Sequence, residues 1–287
     1  MTRRRWKGWR LPALAVLLVL VCFGAYGFAE TYRVEVKEYT FASPDLPPDF
    51  EGTRVVLITD VHRGPFFSQN RVAGLVARVN ALQPDVVVLG GDYVYLGTDY
   101  AASCFAELAK LQAPLGRFAV LGNHDYDDDH GRDDPETAIA AIEEADITLL
   151  LDQGVWVEKG ESRIRLGGVS DFQMGQPRLA PVTDGTQPSD FIVLISHHPD
   201  FAETLPAGAV DLVLSGHTHG GQVTFFGLWA FHVPSDYGQK YRTGQVTNGA
   251  TTVIISNGIG TSTIPPVRLF ARPQIVVITL ERGSPRL

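Results

Sequence analysis

Short, continuous runs of valine, leucine and isoleucine constrain this chain more than any other feature of its sequence. In the first half, three such runs alternate with segments whose apolar residues recur at helical spacing. The runs are "TRVVLIT", "DVVVLGG" and "GRFAVLG", and the helical segments are "NRVAGLVARVNAL", "YAASCFAELAKLQ" and "PETAIAAIEEA". Apolar runs of this length, bounded by glycine or aspartate, are typical of strands buried on both faces. The pattern predicts an α/β fold.

The second half of the chain is richer in strands than the first. Six segments have strand character: "GVWVEKG", "SRIRLGGVSD", "DFIVLISHH", "VDLVLSGH", "TTVIISNG" and "QIVVITLE". Together with the helices of the first half, they predict two packed β-sheets flanked by helices. We expect this domain to occupy residues 53–287.

The first thirty residues predict a membrane element. Residues 1–10, "MTRRRWKGWR", contain five cationic residues and no acidic one, and residues 11–29 contain no charge. Nineteen helical residues span about 28 Å, which is close to the thickness of the hydrocarbon core of a bilayer. Two interpretations remain open, an uncleaved transmembrane anchor and a cleaved signal peptide. The length of the run and the aromatic residues at its end favour the anchor.

The charge asymmetry around the apolar run predicts the orientation of the domain. Basic residues that flank a span stay in the cytoplasm, so we expect a single-pass protein of the plasma (inner) membrane with an extracytoplasmic domain. Residues 30–52 are expected to form an edge strand, in "YRVEVKEYTF", and a stiff linker, in "SPDLPPDF".

Charge and cysteine content argue against a nucleic-acid partner, a disulfide within the domain and a cysteine-rich metal site. The net charge is −8, and because five cationic residues lie in the tail, the domain itself is more acidic still. Nucleic acid is therefore not expected as a partner. The chain has two cysteines, Cys22 within the apolar run and Cys104, so neither a disulfide within the domain nor a cysteine-rich metal site is expected.

Aspartate, asparagine and histidine residues follow five of the apolar runs. A single aspartate at such a position can cap a helix, and a single histidine can be a core residue, so no one of them is informative alone. The repetition is informative, because each set has small or polar neighbours that let a ligand approach. In chain order the residues are Asp60, His62, Asp92, Asn123, His124, Asp125, His197, His198, His217 and His219.

Functional residues of α/β sheets collect at the carboxyl ends of strands, so we expect these side chains to converge in one crevice. Oxygen and imidazole donors without a thiolate suit Mn²⁺, Fe or Zn²⁺, and they are too numerous for one tetrahedral ion. The sequence therefore predicts two divalent metal ions and leaves their identity open.

The motifs "DVH", "GGD", "GNHD", "HHPD" and "GHTHGG", in this order, resemble the five motifs of the calcineurin-like metallophosphoesterases. The resemblance extends from residue 53 to the C-terminus and implies the four-layer α/β/β/α sandwich of that family. The metal ligands that it implies are Asp60, His62 and His219 for one ion, Asn123, His197 and His217 for the other, and Asp92 for both. It leaves His198 without an assigned role.

The resemblance also implies a reaction. Two cations about 3.5 to 4 Å apart lower the pKa of a bridging water, and the resulting hydroxide attacks phosphorus in line. His124 would donate a proton to the leaving oxygen, and Asp125 would orient the imidazole of His124. The implied activity is metal-dependent hydrolysis of a phosphoester, with a phosphodiester favoured.

Within the family, the N-terminal span together with "GGDYV", "SHHPDF" and "GIGTSTIPPVRLF" is most similar to the bacterial membrane-anchored phosphodiesterase branch. This similarity implies a lipid or cell-envelope phosphoester as substrate. One alternative is a pyrophosphatase of lipid A synthesis that acts on UDP-2,3-diacylglucosamine. An alternative of another class is a non-catalytic, membrane-tethered scaffold that binds metal, but the complete ligand set argues against it.

Aromatic residues cluster after the first and the last motif. They are either core residues, as is usual for aromatics near a motif, or an apolar ledge beside the metals that would favour a substrate with acyl chains. Both accounts remain open for the six residues Phe66, Phe67, Phe225, Phe226, Trp229 and Phe231.

Overall fold

The computed structural model of this protein describes residues 10–126 and 135–283. Residues 1–9 of the predicted cytoplasmic tail lie outside the described residues, and so do residues 127–134 and 284–287. Within the described ranges the α-helices are α1 (Arg10–Glu30), α2 (Gln69–Ala81), α3 (Ala101–Leu108) and α4 (Glu136–Glu144).

The strands in the described ranges form two sheets of six strands and one small hairpin. In spatial order, the first sheet contains β1 (Glu35–Ser43), β14 (Gln274–Arg282), β2 (Arg54–Ile58), β3 (Val86–Leu89), β4 (Arg117–Ala119) and β5 (Thr148–Leu149). The second sheet contains β12 (Gly244–Asn248), β13 (Thr251–Ile255), β9 (Leu212–Ser215), β8 (Ile192–Ile195), β7 (Ser162–Gly168) and β6 (Gln153–Lys159). The hairpin pairs β10 (Thr224–Phe225) with β11 (Trp229–Ala230).

The central strands of both sheets run parallel. In the first sheet these are β2, β3 and β4, with the edge strand β5 parallel to them, and in the second they are β7, β8, β9 and β13. Every residue of β3, β8 and β9 is buried, as expected for parallel strands that are covered on both faces. Parallel pairing brings the carboxyl ends of neighbouring strands to the same edge of each sheet.

Three apolar layers hold the sheets together. Helices α2, α3 and α4 pack on the outer face of the first sheet, where Val76 is one of the buried residues. Leu57 and Leu214 belong to the layer between the two sheets. On the outer face of the second sheet, Phe201 of the 3₁₀ helix Pro199–Thr204 joins a third buried cluster. The prediction of two packed sheets flanked by helices is confirmed, with a 3₁₀ helix in the fourth layer.

Helix α1 is long and apolar enough to cross a membrane. The stretch Leu11–Glu30 has a mean hydropathy of 2.3, and almost all of it is exposed. Its last turn packs on the domain, where Arg268 N donates to Gly27 O at 3.0 Å and Phe270 N donates to the buried carboxylate of Glu30 at 2.7 Å. Anchoring by α1 remains a prediction, but the C-terminal end of the helix is fixed to the domain.

Candidate active site

The carboxyl ends of five strands meet at one edge of the two packed sheets. Three of these strands belong to the first sheet and two to the second. The loops that follow them carry all seven predicted ligands: Asp60 and His62 after β2, Asp92 after β3, Asn123 after β4, His197 after β8, and His217 and His219 after β9.

Asp60, His62, Asp92 and His219 form one compact, buried group. The Nε2 atoms of His62 and His219 are 3.1 Å apart, and Nε2 of His219 is 3.3 Å from Oδ1 of Asp60. Oδ2 of Asp92 is 3.5 Å from Nε2 of His62. Two facing imidazole nitrogens with carboxylate oxygens beside them are ligands that one divalent cation can join.

Asp92 also contacts a second group of imidazoles. Its Oδ2 is 3.2 Å from Nε2 of His197, and the ring centroids of His197 and His217 are 5.2 Å apart. Nδ1 of His197 donates to the carbonyl oxygen of Gly90 at 2.7 Å, which fixes the ring and leaves Nε2 as the atom that can bind a metal. Asp92 therefore lies between the two groups, at the position predicted for the shared ligand.

His198 lies in the second group, although the sequence assigned it no role. Its ring centroid is 3.5 Å from that of His217, and its Nε2 is 3.4 Å from Oδ2 of Asp171. His197, His198 and His217 offer ring nitrogens within 4.8 Å of one another. His198 and Asp171 are thus buried next to each other at the site, and no motif spacing identified Asp171.

Buried polar atoms without a hydrogen-bond partner test whether these residues fit metal ions. Among the described residues such atoms include Oδ1 of Asn123 and Nε2 of His217. A buried polar atom left without a partner costs about 1–3 kcal/mol. Both atoms are of a ligand type for a divalent cation, and a bound cation would satisfy them. The residues therefore fit the two-metal site that the motifs predict.

Burial keeps most of the imidazoles neutral, which is the form that binds metal. Desolvation lowers the pKa of His62 and of His217 to about 3 and holds the pKa of His219 well below its ordinary value. Burial alone would raise the pKa of Asp92, but the surrounding imidazoles, above all His197, hold it well below the ordinary range. The shared carboxylate is therefore ionised.

His197 is the exception among these imidazoles. Burial lowers its pKa, but the nearby carboxylates, with Asp92 the strongest, offset the effect and raise the pKa to about 10. With only the protein's own groups around it, His197 is thus protonated and pairs with Asp92. Binding of a cation at Nε2 must release this proton.

Most of the predicted ligands have backbone conformations that non-glycine residues rarely adopt. The φ angle lies between 50° and 66° for Asp60, His62, Asp92, His217 and His219. Each such residue costs on the order of 1–3 kcal/mol and persists only where its surroundings impose it. Two neighbouring glycines are required by close approach, because a Cβ on Gly216 would overlap Oδ2 of Asp60 and a Cβ on Gly122 would overlap Oδ1 of Asp92.

Asp125 is hydrogen-bonded to the backbone of the neighbouring ligand loop. Its Oδ2 accepts hydrogen bonds from the backbone N–H of Asp92 at 2.8 Å and of Gly122 at 2.9 Å, and its Oδ1 accepts from Tyr93 N at 2.7 Å. Both oxygens of this buried carboxylate are thus engaged by the backbone. Asp125 thus fixes the loop that carries Asp92, and its predicted role of orienting the imidazole of His124 stays a prediction.

His124 lines the cavity in front of the two groups. Its ring centroid is 5.0 Å from that of His62 and 5.3 Å from that of Tyr95, and its backbone N donates to Oδ1 of Asp92 at 2.8 Å. The half-buried ring therefore lies beside the shared carboxylate and faces a space where it could exchange a proton with a substrate. The cavity has a volume of about 400 Å³, and its wall also contains His217, Gln222, Phe231 and His232.

The six aromatic residues near the motifs divide between core and surface. Phe67 is 4% exposed and belongs to the core under the helices. Phe66 is 38% exposed. The other four lie in or beside the β10–β11 hairpin and are 48% to 68% exposed: Phe225, Phe226, Trp229 and Phe231. The core account therefore holds for Phe67 and not for the hairpin.

Comparison with known protein families agrees with this geometry. Residues 53–221, from the start of the domain to the loop after β9, match the calcineurin-like phosphoesterases. The chain belongs to this family. It is accordingly a metal-dependent phosphoester hydrolase that uses two divalent cations, for which the two His/Asp groups provide ligands.

Related phosphoesterases cover most of the chain. The uncharacterized metallophosphoesterase YkuE of Bacillus subtilis is 29% identical over 98% of both chains. The phosphodiesterase YaeI of Escherichia coli is 26% identical over 79% of this chain and 82% of its own. A transmembrane protein with metallophosphoesterase domain from Danio rerio is 29% identical over 94% of this chain and 62% of its own. The predicted family and its bacterial branch are confirmed.

A buried arginine behind His219 is a part of the phosphoesterase site that the motifs did not reveal. Nη2 of Arg268 is 3.1 Å from Nδ1 of His219, and Nη1 donates to the His219 carbonyl oxygen at 3.3 Å. Its other hydrogen bonds go to the carbonyl oxygens of Asn257, Gly260 and Ala271. The guanidinium thus fixes the backbone of a predicted ligand through the carbonyl oxygen of His219 and lies against its ring, a role that no sequence spacing signals.

We expect Arg268→Lys to lower the affinity for one of the two cations. A lysine ammonium cannot reproduce the planar set of donors that holds the His219 backbone, and loss of the contacts that position a metal ligand typically costs about 10–100-fold in affinity. Equilibrium dialysis against Mn²⁺ followed by elemental analysis measures this change. The control is Arg272→Lys, because that side chain is half exposed and pairs with Glu30. Two ions bound at wild-type affinity in Arg268→Lys would contradict the assignment.

Proposed function

We propose that this phosphoesterase hydrolyses phosphodiester bonds of a lipid or cell-envelope substrate at the outer surface of the membrane. Hydrolysis by a two-cation site is supported by the position of Asp92, whose Oδ2 is 3.5 Å from Nε2 of His62 and 3.2 Å from Nε2 of His197. In the proposed site, Asp60, His62 and His219 would hold one cation, Asn123, His197 and His217 would hold the other, and Asp92 would contact both.

When bound, the two cations would polarise the phosphoryl oxygens and supply the attacking water in an active form. The protein's own residues supply position and a proton. Asp125 fixes the loop of Asp92 through backbone hydrogen bonds, and the backbone N–H of His124 donates to Asp92 Oδ1. The imidazole of His124 is thereby held at the cavity wall, where it would give its proton to the leaving oxygen.

The cavity supports a diester as substrate. Its volume of about 400 Å³ leaves room for groups on both sides of a phosphate, and its lining is apolar in one part and polar in another. Val223, Phe231 and Pro234 provide an apolar part, whereas Gln222 and Thr263 provide a polar one. The related YaeI protein of Escherichia coli carries the name phosphodiesterase, which supports the same class.

The apolar part of the cavity supports a lipid-linked substrate. Phe231 lines the cavity and is 68% exposed, so the apolar wall continues onto the outer surface. The apolar helix α1 would keep this surface near a membrane, and the basic tail before α1 supports a domain on the outer side. A pyrophosphatase of lipid A synthesis would act in the cytoplasm, which this orientation disfavours.

We expect His124→Ala to leave the metal content unchanged and to lower the rate by about 10²-fold or more, as is typical for the loss of a general acid. The loss should be smaller for nitrophenyl esters than for alkyl esters, because nitrophenolate leaves without a proton. Steady-state rates on both ester types, with elemental analysis alongside, test this expectation.

His232 provides the matched control, since it is an exposed histidine that lines the same cavity. His232→Ala should change the rates on both ester types by the same factor. Equal losses on both esters in His124→Ala, or dependence on the leaving group in His232→Ala, would overturn the role assigned to His124.

The proposed substrate and orientation can be tested on the full chain in its membrane. A reporter that is active only outside the cytoplasm, fused after Leu287, should be active. In proteoliposomes, kcat/KM should be higher for a phosphodiester on an embedded lipid than for the same head group without acyl chains. A cytoplasmic reporter would favour the alternative in lipid A synthesis. Equal kcat/KM values would argue against the lipid substrate.

A further inference from the structure

An exposed aromatic hairpin projects from the domain beside the active-site cavity. It comprises residues 223–231, "VTFFGLWAF", and contains no charged residue. Five of its large side chains are 48% to 79% exposed: Phe225, Phe226, Leu228, Trp229 and Phe231. A contiguous apolar surface of this kind marks a site of contact with a membrane or with another molecule.

The aromatic hairpin is firmly attached to the domain at its base and along one side. Thr224 N and Oγ1 donate to the carbonyl oxygen of Leu269, at 3.0 and 2.9 Å. The side chain of Gln239 pairs with both backbone groups of Ala230. The exposed rings are therefore held in place outside the domain, because the backbone that carries them is fixed by hydrogen bonds.

The segment that holds the aromatic hairpin also holds the end of α1. Phe270 N donates to the carboxylate of Glu30, one residue after the carbonyl of Leu269 that accepts from the hairpin. The ring of Phe270 lies between the two elements, with its centroid 5.5 Å from that of Tyr26 and 5.0 Å from that of Phe226. The tip of the hairpin and the last turn of α1 are thus neighbours.

We propose that the aromatic hairpin lies in the interfacial region of the bilayer that α1 crosses, so that its partner is the phospholipid layer itself. The proposal rests on anchoring by α1 and does not depend on the identity of the substrate. Residues beside the last turn of a spanning helix lie at the depth of the lipid head groups, and phenylalanine, tryptophan and leucine are the residues that bury an apolar face there.

The shape of the exposed surface favours a bilayer over a second protein copy. Phe225 and Trp229 are paired across the hairpin, while Phe226 and Leu228 lie at its tip. The surface adjoins α1 through the ring of Phe270, which packs on both Phe226 and Tyr26. A lipid layer covers a protruding tip and the adjoining helix together, whereas a second copy would need a groove that fits both.

This placement has a consequence for the proposed function. Phe231 belongs both to the aromatic hairpin and to the wall of the active-site cavity. A hairpin seated in the interface would therefore bring the cavity close to the head groups, where a phosphodiester on a lipid is found.

Tryptophan fluorescence of the full chain in lipid nanodiscs tests the proposal. Changing Trp6 and Trp9 to phenylalanine leaves Trp229 in the hairpin and Trp156 in β6. Trp156 is a suitable internal reference, because β6 and β12 are the two opposite edges of the second sheet. The hairpin lies on the β12 side, since Arg242 and Gln239, which precede β12, donate to the carbonyl oxygens of Gly227 and Ala230. The probe is a phospholipid brominated near the top of its acyl chains, which quenches tryptophan on contact.

We expect brominated nanodiscs to quench part of the emission relative to unbrominated ones. The quenched part should disappear in Trp229→Phe and persist in Trp156→Phe. Equal emission in both lipids, or quenching that survives Trp229→Phe, would overturn the proposal. Emission that changes only with protein concentration would also overturn it, because that result is expected of contact with a second copy. Hydrolysis of a soluble phosphodiester, measured on the same samples, tests the proposed activity separately, since quenching does not require turnover.

Discussion

The buried carboxylate of Asp92 is the interaction on which the rest of the site depends. It is the one predicted ligand in contact with both groups of imidazoles, at 3.5 Å from His62 and 3.2 Å from His197. A buried charge is strongly unfavourable unless opposite charges or donors surround it, and the neighbouring imidazoles keep this carboxylate ionised. Asp125 sets its position by accepting the hydrogen bond of the Asp92 backbone.

Contact between Asp92 and His197 requires the two sheets to end at the same place, because the two residues follow strands of different sheets. The apolar layer between the sheets sets their separation, and the parallel order of β2, β3, β8 and β9 aligns the ends. The loops must then approach so closely that Gly122 has no room for a Cβ beside Asp92. The packing of the core and the geometry of the site thus both require the strands of the two sheets to end at the same place.

Prediction from sequence succeeded where a local pattern determines the outcome. An apolar run followed by a ligand-type residue predicted β3 and the loop position of Asp92 after it. Apolar residues at helical spacing predicted α2. Prediction from sequence did not reveal contacts between distant segments. Asp125 follows His124 in sequence but turns toward the backbone of the Asp92 loop, and Arg268 reaches His219 across 49 residues. Composition likewise could not separate buried Phe67 from exposed Phe226, since burial depends on where each loop lies.

The central claim, that two cations share the carboxylate of Asp92, is tested most directly by anomalous diffraction from crystals grown with Mn²⁺. Data collected at the manganese absorption edge should show two peaks about 3.5 to 4 Å apart. One peak should be surrounded by Asp60, His62 and His219, the other by Asn123, His197 and His217, with Asp92 between them. A single peak, or two peaks of which only one contacts Asp92, would contradict the account.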